Sequence, residues 1–200
     1  VEDHVVIVDI DDLSGTRIVG LTEAGQLIRD GINNHGVSVC GNNLTSVFDT
    51  GDVGAPVTFV RRKALSCRNF AQACDVVKNS PRGVSCNILV ASAEGKAVNL
   101  EATPGGVFEL EPENGVVTHA NHMVAGAEYC TNHGSKFRDG VLRRRLMAHH
   151  GELDLEILRS CLTDHEMKPG WPTRYPESDC LEAVCSHVPY GDIDVDKIWK

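Results

Sequence analysis

Short apolar stretches, either β-branched or alternating with polar residues, recur along the first 42 residues and are typical of β-strands. Residues 5–10 form a β-branched run and residues 36–42 alternate clearly with a period of two, while residues 16–23 and 26–32 are two further strand candidates. Asn and Gly tolerate the positive φ angles of tight turns, so we predict that Asn33-Asn34-His35-Gly36 forms a turn between the strands at 26–32 and 36–42. We predict four strands in an antiparallel meander.

A helical pattern follows, with apolar positions spaced by three and four residues. Pro56 suits the first turn of a helix over residues 57–65, because its missing N–H is unpaired there in any case. Ser66 is predicted to cap a second helix, whose apolar stripe covers residues 70–77.

A second meander is predicted after these helices, with strands at residues 84–92, 97–102 and 107–111. The turn at Asn114-Gly115 then leads into a β-branched run, which predicts a fourth strand over residues 115–124.

Two further helices are predicted at residues 135–150, with Ser135 as the cap, and 153–162. Strands, helices, strands and helices in this order indicate an α+β fold built in layers. We interpret residues 1–200 as a single domain that is incomplete.

The composition narrows the classes of partner. The 200 residues are 42% hydrophobic and 24% charged, with a formal net charge of −9. An acidic chain disfavours nucleic acid and anionic lipid as main partners, and no apolar run is long enough to cross a bilayer. Eight scattered cysteines without a Cys-x-x-Cys pair favour reduced thiols and an intracellular, cytoplasmic location. The oligomeric state, including a homo-oligomer, is left open.

The predicted strand at residues 115–124 ends in three polar side chains, His119, Asn121 and His122. An asparagine amide offers uncharged N–H donors, and such a donor can stabilise an oxyanion in acyl transfer. Polar residues at a strand end also commonly cap a turn or face water, so both interpretations stand on this segment alone.

Several segments together resemble one known family. They are Leu21-Thr22-Glu23-Ala24-Gly25, Gly31-Ile32-Asn33-Asn34-His35-Gly36-Val37, Asn42-Asn43-Leu44, Asn99-Leu100-Glu101-Ala102-Thr103-Pro104 and Thr118-His119-Ala120-Asn121-His122. Their order and spacing resemble the acyl-coenzyme A:6-aminopenicillanic acid (isopenicillin N) acyltransferases, which are N-terminal nucleophile hydrolases.

The resemblance implies a four-layer αββα sandwich, with two antiparallel sheets flanked by helices. It also implies a cysteine nucleophile that self-cleavage exposes at a new N-terminus and that carries the acyl group as a thioester. The nucleophile's own α-amine would serve as its base. The substrate would be a small N-acyl compound; no cofactor or metal is expected, and acyl-coenzyme A enters only as a candidate substrate.

The resemblance also assigns site residues. Asn121 would be the catalytic oxyanion donor. Asn42, or alternatively Asn43, would lie near the nucleophile and contact the substrate. His119 and His122 would shape the site.

The family's nucleophilic cysteine lies farther upstream of the Thr22-Glu23-Ala24-Gly25 segment than Val1 does. We therefore expect this chain to be a segment truncated at both ends, inactive by itself, of a longer enzyme. The alternative is a non-catalytic relative that binds small molecules on the same scaffold.

Cysteines and histidines offer two other kinds of chemistry. Cys130 with His133, or Cys185 with His187, could form a nucleophile–base pair, although inert thiols are more common. Two sets of candidate metal ligands lack zinc-ligand spacing: Cys180, Cys185, His187 and His165, and His119, His122 and His133.

Two charged features are expected to be solvated. Arg143-Arg144-Arg145 could bind a phosphate-bearing substrate, but three adjacent residues do not share one helix face. Glu101 could contact a substrate amine, but we predict a solvated carboxylate at a strand edge.

Overall fold

The computed structural model describes residues 4–162, which belong to two compact units divided between His133 and Gly134. The first unit holds a seven-stranded antiparallel sheet in which each strand pairs with its neighbours in the sequence. Its strands are β1 (Val5–Asp11), β2 (Arg17–Glu23), β3 (Asp30–Asn33), β4 (Val37–Asn43), β5 (Cys86–Ser92), β6 (Ala97–Thr103) and β7 (Gly106–Leu110).

Two helices lie between β4 and β5 in the sequence: α1 (Val57–Leu65) and α2 (Phe70–Asn79). The cap of α2 is Asn69, whose side chain accepts a hydrogen bond from the Gln72 N–H at 3.0 Å. The prediction that Ser66 caps α2 was wrong. Ser66 lies at the C-terminal end of α1, where its hydroxyl donates to the Arg62 carbonyl.

One face of the sheet packs against these helices. Val39, Val90 and Val98 pair directly across β4, β5 and β6, so their side chains share a face. They belong to one apolar core with Leu65 of α1 and Val77 of α2. This core is the main hydrophobic stabilisation of the first unit.

Arg61 is a charged member of the helical stripe of α1. It is 7% exposed, forms an ion pair with Asp30 and donates to the Arg29 carbonyl at 3.2 Å. Desolvation, reinforced by the neighbouring Arg29, lowers the pKa of Arg61 to about 10. The guanidinium therefore remains charged at neutral pH and ties α1 to the start of β3.

Asn33 in the Gly31–Val37 motif has a structural role. Its side-chain amide donates to the carbonyls of Leu65 and Cys67, and its oxygen accepts from the N–H groups of His35 and Val37. The β3–β4 turn is thereby fixed to the end of α1. The third strand was predicted over residues 26–32, and β3 begins later and is shorter, at Asp30–Asn33.

The strand predicted over residues 115–124 was wrong. Only an isolated bridge joins Glu113 and Val116, and the chain then runs irregularly to a short 3₁₀ helix, Ala127–Tyr129. At the end of the predicted strand, the Val124 N–H bonds to the Glu101 carboxylate, as do those of Ala125 and Gly126 beyond it, so these groups are not available for a strand ladder.

The resemblance implied two sheets, and residues 4–162 form one. The meander predicted after α2 does not form a separate sheet, because β5 pairs with β4 along its whole length. The α+β class itself is confirmed.

The second unit contains α3 (Lys136–Ala148) and α4 (Leu155–Leu162), as predicted in kind. The Ser135 side chain makes no capping hydrogen bond to α3, contrary to expectation. Among residues 4–162, no helix has the length and apolar character needed to cross a membrane.

Candidate active site

The sheet face opposite α1 and α2 carries a row of polar side chains at one end. Asn42 pairs with Asn87, and Asn87 pairs with Glu101, so the three share a face across β4, β5 and β6. Asn87 is 2% exposed and Glu101 is fully buried. Buried polar groups on otherwise apolar strands need hydrogen-bond partners. Most of the partners of this row lie at the same end of the first unit.

Residues 117–126 cross over this row. The Asn42 amide donates to the Ala120 carbonyl and lies 3.4 Å from Nδ1 of His119. The Asn121 amide donates to the Asn43 carbonyl at 3.0 Å. Two reciprocal contacts therefore join the end of β4 to the segment that carries the predicted oxyanion donor.

Glu101 was predicted to be solvated, and the structure corrects this. Its carboxylate accepts hydrogen bonds from Nε2 of His119 at 2.8 Å and from the N–H groups of Val124, Ala125 and Gly126 at 2.5, 3.2 and 2.8 Å. Desolvation raises the pKa of Glu101, but the hydrogen bonds from His119, Val124 and Gly126 outweigh it and hold that pKa below its ordinary value. Glu101 is therefore a buried carboxylate at neutral pH.

His119 lies between Glu101 and Asn42. Its side chain is 3% exposed, and because Nε2 faces a carboxylate, Nε2 carries the donated hydrogen. Nδ1 lies 2.7 Å from the Ala120 carbonyl. The His122 ring is buried and nearly parallel to that of His119, with the ring centroids 6.3 Å apart.

Asn42, His119, Asn121 and Glu101 form a polar cluster at this end of the sheet. Asn87 and Asn99 also belong to it, and the sequence did not identify them as site residues. The Asn87 amide donates to Oδ1 of Asn42 at 3.1 Å and to Oδ1 of Asn99 at 2.9 Å. Its own Oδ1 is buried and has no hydrogen-bond partner among residues 4–162. The available signal was an asparagine inside each of two largely apolar strands.

A small apolar cluster includes part of the crossing segment. It contains Leu44, Met123 and Cys130, with Phe108 and Tyr129 packed against it. This cluster places Met123, two residues beyond Asn121, in a buried position at 1% exposure. The segment is thus fixed by packing as well as by hydrogen bonds.

Cys130 and His133 do not form a catalytic pair. The buried Cys130 thiol accepts from the Met123 N–H at 3.2 Å and donates to the Asn132 carbonyl at 3.0 Å, while His133 is exposed. Burial raises the pKa values of Cys74 and Cys86 to about 11, so both are neutral thiols at pH 7. Neither Cys74 nor Cys86 is therefore an activated thiolate.

Two other predictions fall differently on the structure. Within residues 4–162 there is no group of three or more His, Cys, Asp or Glu side chains that could hold a metal ion. The candidate pair Cys185–His187 and the candidate ligands His165 and Cys180 lie outside the described residues.

The three arginines of α3 differ in exposure. Arg143 is half-buried, whereas Arg144 and Arg145 are exposed. They do not present one common face, in agreement with their spacing.

The cluster can supply neutral amide donors backed by a buried charge. Asn42 and Asn121 lie on either side of the contact between β4 and the crossing segment, and neither amide can titrate. Fixed amide donors are suited to a developing oxyanion, because they need no reorganisation when the charge appears. The geometry brings together the predicted residues Asn42, Asn43, His119, Asn121 and His122.

A known protein family matches most of this chain. The family model described as acyl-coenzyme A:6-aminopenicillanic acid acyl-transferase matches residues 18–144, well over half of the chain. That span contains the sheet from Ile18 onward, α1, α2 and the whole polar cluster. No functionally curated protein shows significant sequence similarity.

Solved structures share the fold at low sequence identity. A Caenorhabditis elegans N-acylethanolamine-hydrolyzing acid amidase ortholog superposes with a TM-score of 0.64 at 16% identity, covering 84% of this chain and 77% of the other. Penicillin V acylase from Agrobacterium tumefaciens gives 0.53 at 12%, covering 78% and 58%. A single-residue variant of conjugated bile acid hydrolase from Clostridium perfringens gives 0.50 at 13%, covering 82% and 72%.

The match over residues 18–144 covers more than half of the chain and shows its family. The chain belongs to the acyl-coenzyme A:6-aminopenicillanic acid acyl-transferase family.

Proposed function

We propose that this chain is part of a cysteine amidohydrolase or acyltransferase that acts on a small N-acyl compound. In this proposal the nucleophile is a cysteine upstream of Val1, exposed as a new N-terminus by self-cleavage. We also propose that the whole protein forms the four-layer sandwich. Residues 4–162 contain one of its two sheets. The observation that carries the proposal is the meeting of Asn42 and Asn121 at the end of β4 in a member of this family.

The proposed reaction proceeds in two steps. The cysteine sulfur attacks the carbonyl carbon of the N-acyl substrate while the nucleophile's α-amine accepts the thiol proton. The carbonyl oxygen becomes an oxyanion, the C–N bond breaks, and the amine leaves with that proton. Water or a second amine then attacks the thioester, which releases the acyl group and restores the thiol.

Asn121 is the proposed oxyanion donor in both steps. The bond from its side-chain amide to the Asn43 carbonyl orients that amide at the end of β4. Asn42, with Asn43 as the alternative, would contact the substrate, and His119 and His122 would limit the space around it. The exposure of Asn121, which is intermediate, allows access by a substrate.

The first test is chemical identification of the nucleophile. The full-length protein would be purified and its N-termini determined by mass spectrometry. The proposal expects a new N-terminal cysteine a short distance upstream of Val1. An uncut protein without a cysteine, serine or threonine at that place would contradict the catalytic interpretation and favour the non-catalytic binding module.

The second test is capture of the acyl-enzyme. The substrates would be an N-acylethanolamine, a conjugated bile acid, penicillin V, and acyl-coenzyme A with 6-aminopenicillanic acid, chosen from the activities named for the relatives. Rapid quenching should reveal a mass increase equal to the acyl group, and hydroxylamine should remove it as expected for a thioester. Turnover without any hydroxylamine-sensitive adduct would contradict the thioester route.

A further inference from the structure

We propose that Glu101 is a positioning residue of this site, the anchor that holds the segment from His119 to Gly126 over the end of β4. The proposal rests on the proposed function, since it concerns how Asn121 is placed for the reaction. Glu101 is not assigned to contact substrate or the reacting atoms.

The first argument is the number of bonds that converge on one carboxylate. Oε1 accepts from Nε2 of His119 and from the N–H groups of Val124 and Ala125, and Oε2 accepts from the N–H group of Gly126. All four donors belong to the crossing segment. Successive backbone N–H groups that point at one anion form a concave binding site, so the carboxylate and the turn specify each other.

The second argument is the burial of the charge. Glu101 is fully buried, and an unpaired carboxylate in such a place would be strongly destabilising. Hydrogen bonds to an ionised acceptor are shorter and stronger than neutral ones, and here they offset that cost. Without the charge, the N–H groups of Val124, Ala125 and Gly126 face a weaker acceptor. The turn that they form is then expected to open more often.

The third argument is the place of Asn121 within the segment. His119 lies two residues before Asn121 and Val124 lies three residues after it, and both bond to Glu101. The carboxylate therefore fixes the backbone on both sides of the proposed oxyanion donor. A displacement of about 1 Å in such a donor can cost on the order of 100-fold in rate.

The kinetic test compares Glu101→Gln with Glu109→Gln in the full-length protein. Glu109 lies on the neighbouring β7, where it is largely solvated and pairs with Lys78 at 2.7 Å, so it is a matched carboxylate outside the cluster. We expect Glu101→Gln to lower kcat about 100-fold with KM changed less than about twofold, and Glu109→Gln to change neither. Equal kcat values for the two variants would overturn the proposal.

The structural test uses no substrate, so it separates this proposal from the proposed function. Backbone amide exchange at Val124, Ala125 and Gly126 would be measured by NMR in the wild type and both variants. We expect exchange at least about tenfold faster in Glu101→Gln only, because exchange reports the opening of hydrogen bonds. Unchanged protection in Glu101→Gln would overturn the anchor even if the enzyme is active.

A wild-type measurement covers the case in which Glu101→Gln does not fold. The three amide proton shifts should change together as acid protonates the carboxylate, with one common midpoint. Independent or absent changes would overturn the proposal. An inactive wild-type protein with a common midpoint would instead overturn the proposed function and leave the anchor standing.

Discussion

The two faces of the same strands differ in almost every physical property. Toward α1 and α2, the β4–β6 rows are aliphatic, as with Val39, Val90 and Val98, and pack into a continuous core. On the opposite face, at one end, the row consists of Asn42, Asn87 and Glu101. Burial of the first face removes apolar area from water and so stabilises the fold, whereas the second face stabilises its buried polar side chains mainly through hydrogen bonds.

Because its two faces differ, one sheet can both stabilise the fold and carry the candidate site. A helix-covered face tolerates no site, because it has no access to substrate. A polar row on the other face costs desolvation, which is acceptable only where the partners are placed precisely. Substitutions on the two faces should therefore separate loss of stability from loss of rate.

The largest effect is expected on the polar face, from Asn121→Ala in the full-length protein. Loss of an oxyanion donor should lower kcat by a factor on the order of 100 to 1000, with a change in the unfolding midpoint that is small by comparison. Steady-state kinetics and thermal unfolding of the same preparation would check both. A rate within twofold of the wild type would remove Asn121 from the mechanism.

On the helix-covered face, Leu100→Ala should have the opposite profile. Leu100 is fully buried in the core, and its truncation leaves a cavity that should lower the free energy of unfolding by about 3–4 kcal/mol. Urea unfolding measures this loss. The comparison would fail if folded Leu100→Ala protein showed a kcat reduced as strongly as that of Asn121→Ala.

An intermediate effect on stability is expected from Asn87→Ala. The substitution leaves the oxygens of Asn42 and Asn99 without their donor, which should lower the free energy of unfolding by about 2 kcal/mol. Asn79→Ala, at the exposed end of α2, is a control that changes the same residue type outside the cluster. A loss for Asn87→Ala no greater than for the control would show that the polar row contributes nothing to folding.

The smallest effect near neutral pH is expected from protonation. The folded-state pKa of Glu101 lies below the ordinary value of 4.5, so its stabilising contribution is complete above that value. It should be lost as the pH falls through the folded-state pKa, because the unfolded chain then binds more protons. Urea unfolding at a series of acidic pH values should show this slope in the wild type and a shallower slope in Glu101→Gln.

The sequence predicted the elements best where pattern and burial agree. The clean alternation before Asn42 and the helical stripes of α1 and α2 are direct consequences of burial on one side. The prediction failed over residues 115–124, where a β-branched run suggested a strand and the structure shows an irregular crossing segment. One competing factor was the Glu101 carboxylate, which accepts from the His119 side chain and the Val124 N–H within this range and cannot be read from local propensity.

The candidate site was predicted in part. The resemblance identified Asn42, Asn43, His119, Asn121 and His122, and the structure brings these residues together at the end of β4. It could not identify Glu101, Asn87 or Asn99 as members of the cluster. Their role depends on strand register, which places residues from three strands in contact although they are distant in sequence.

The α+β class, most strands and helices, and the family can be read from the amino-acid sequence, because each follows from local periodicity or from the order of short motifs. The joining of the two meanders by β4 and β5 and the burial of Glu101 become visible in the three-dimensional fold. Both depend on contacts between residues that are distant in the sequence, since a carboxylate's environment is set by the donors that reach it. In this protein those donors come from a segment 18 to 25 residues farther along the chain.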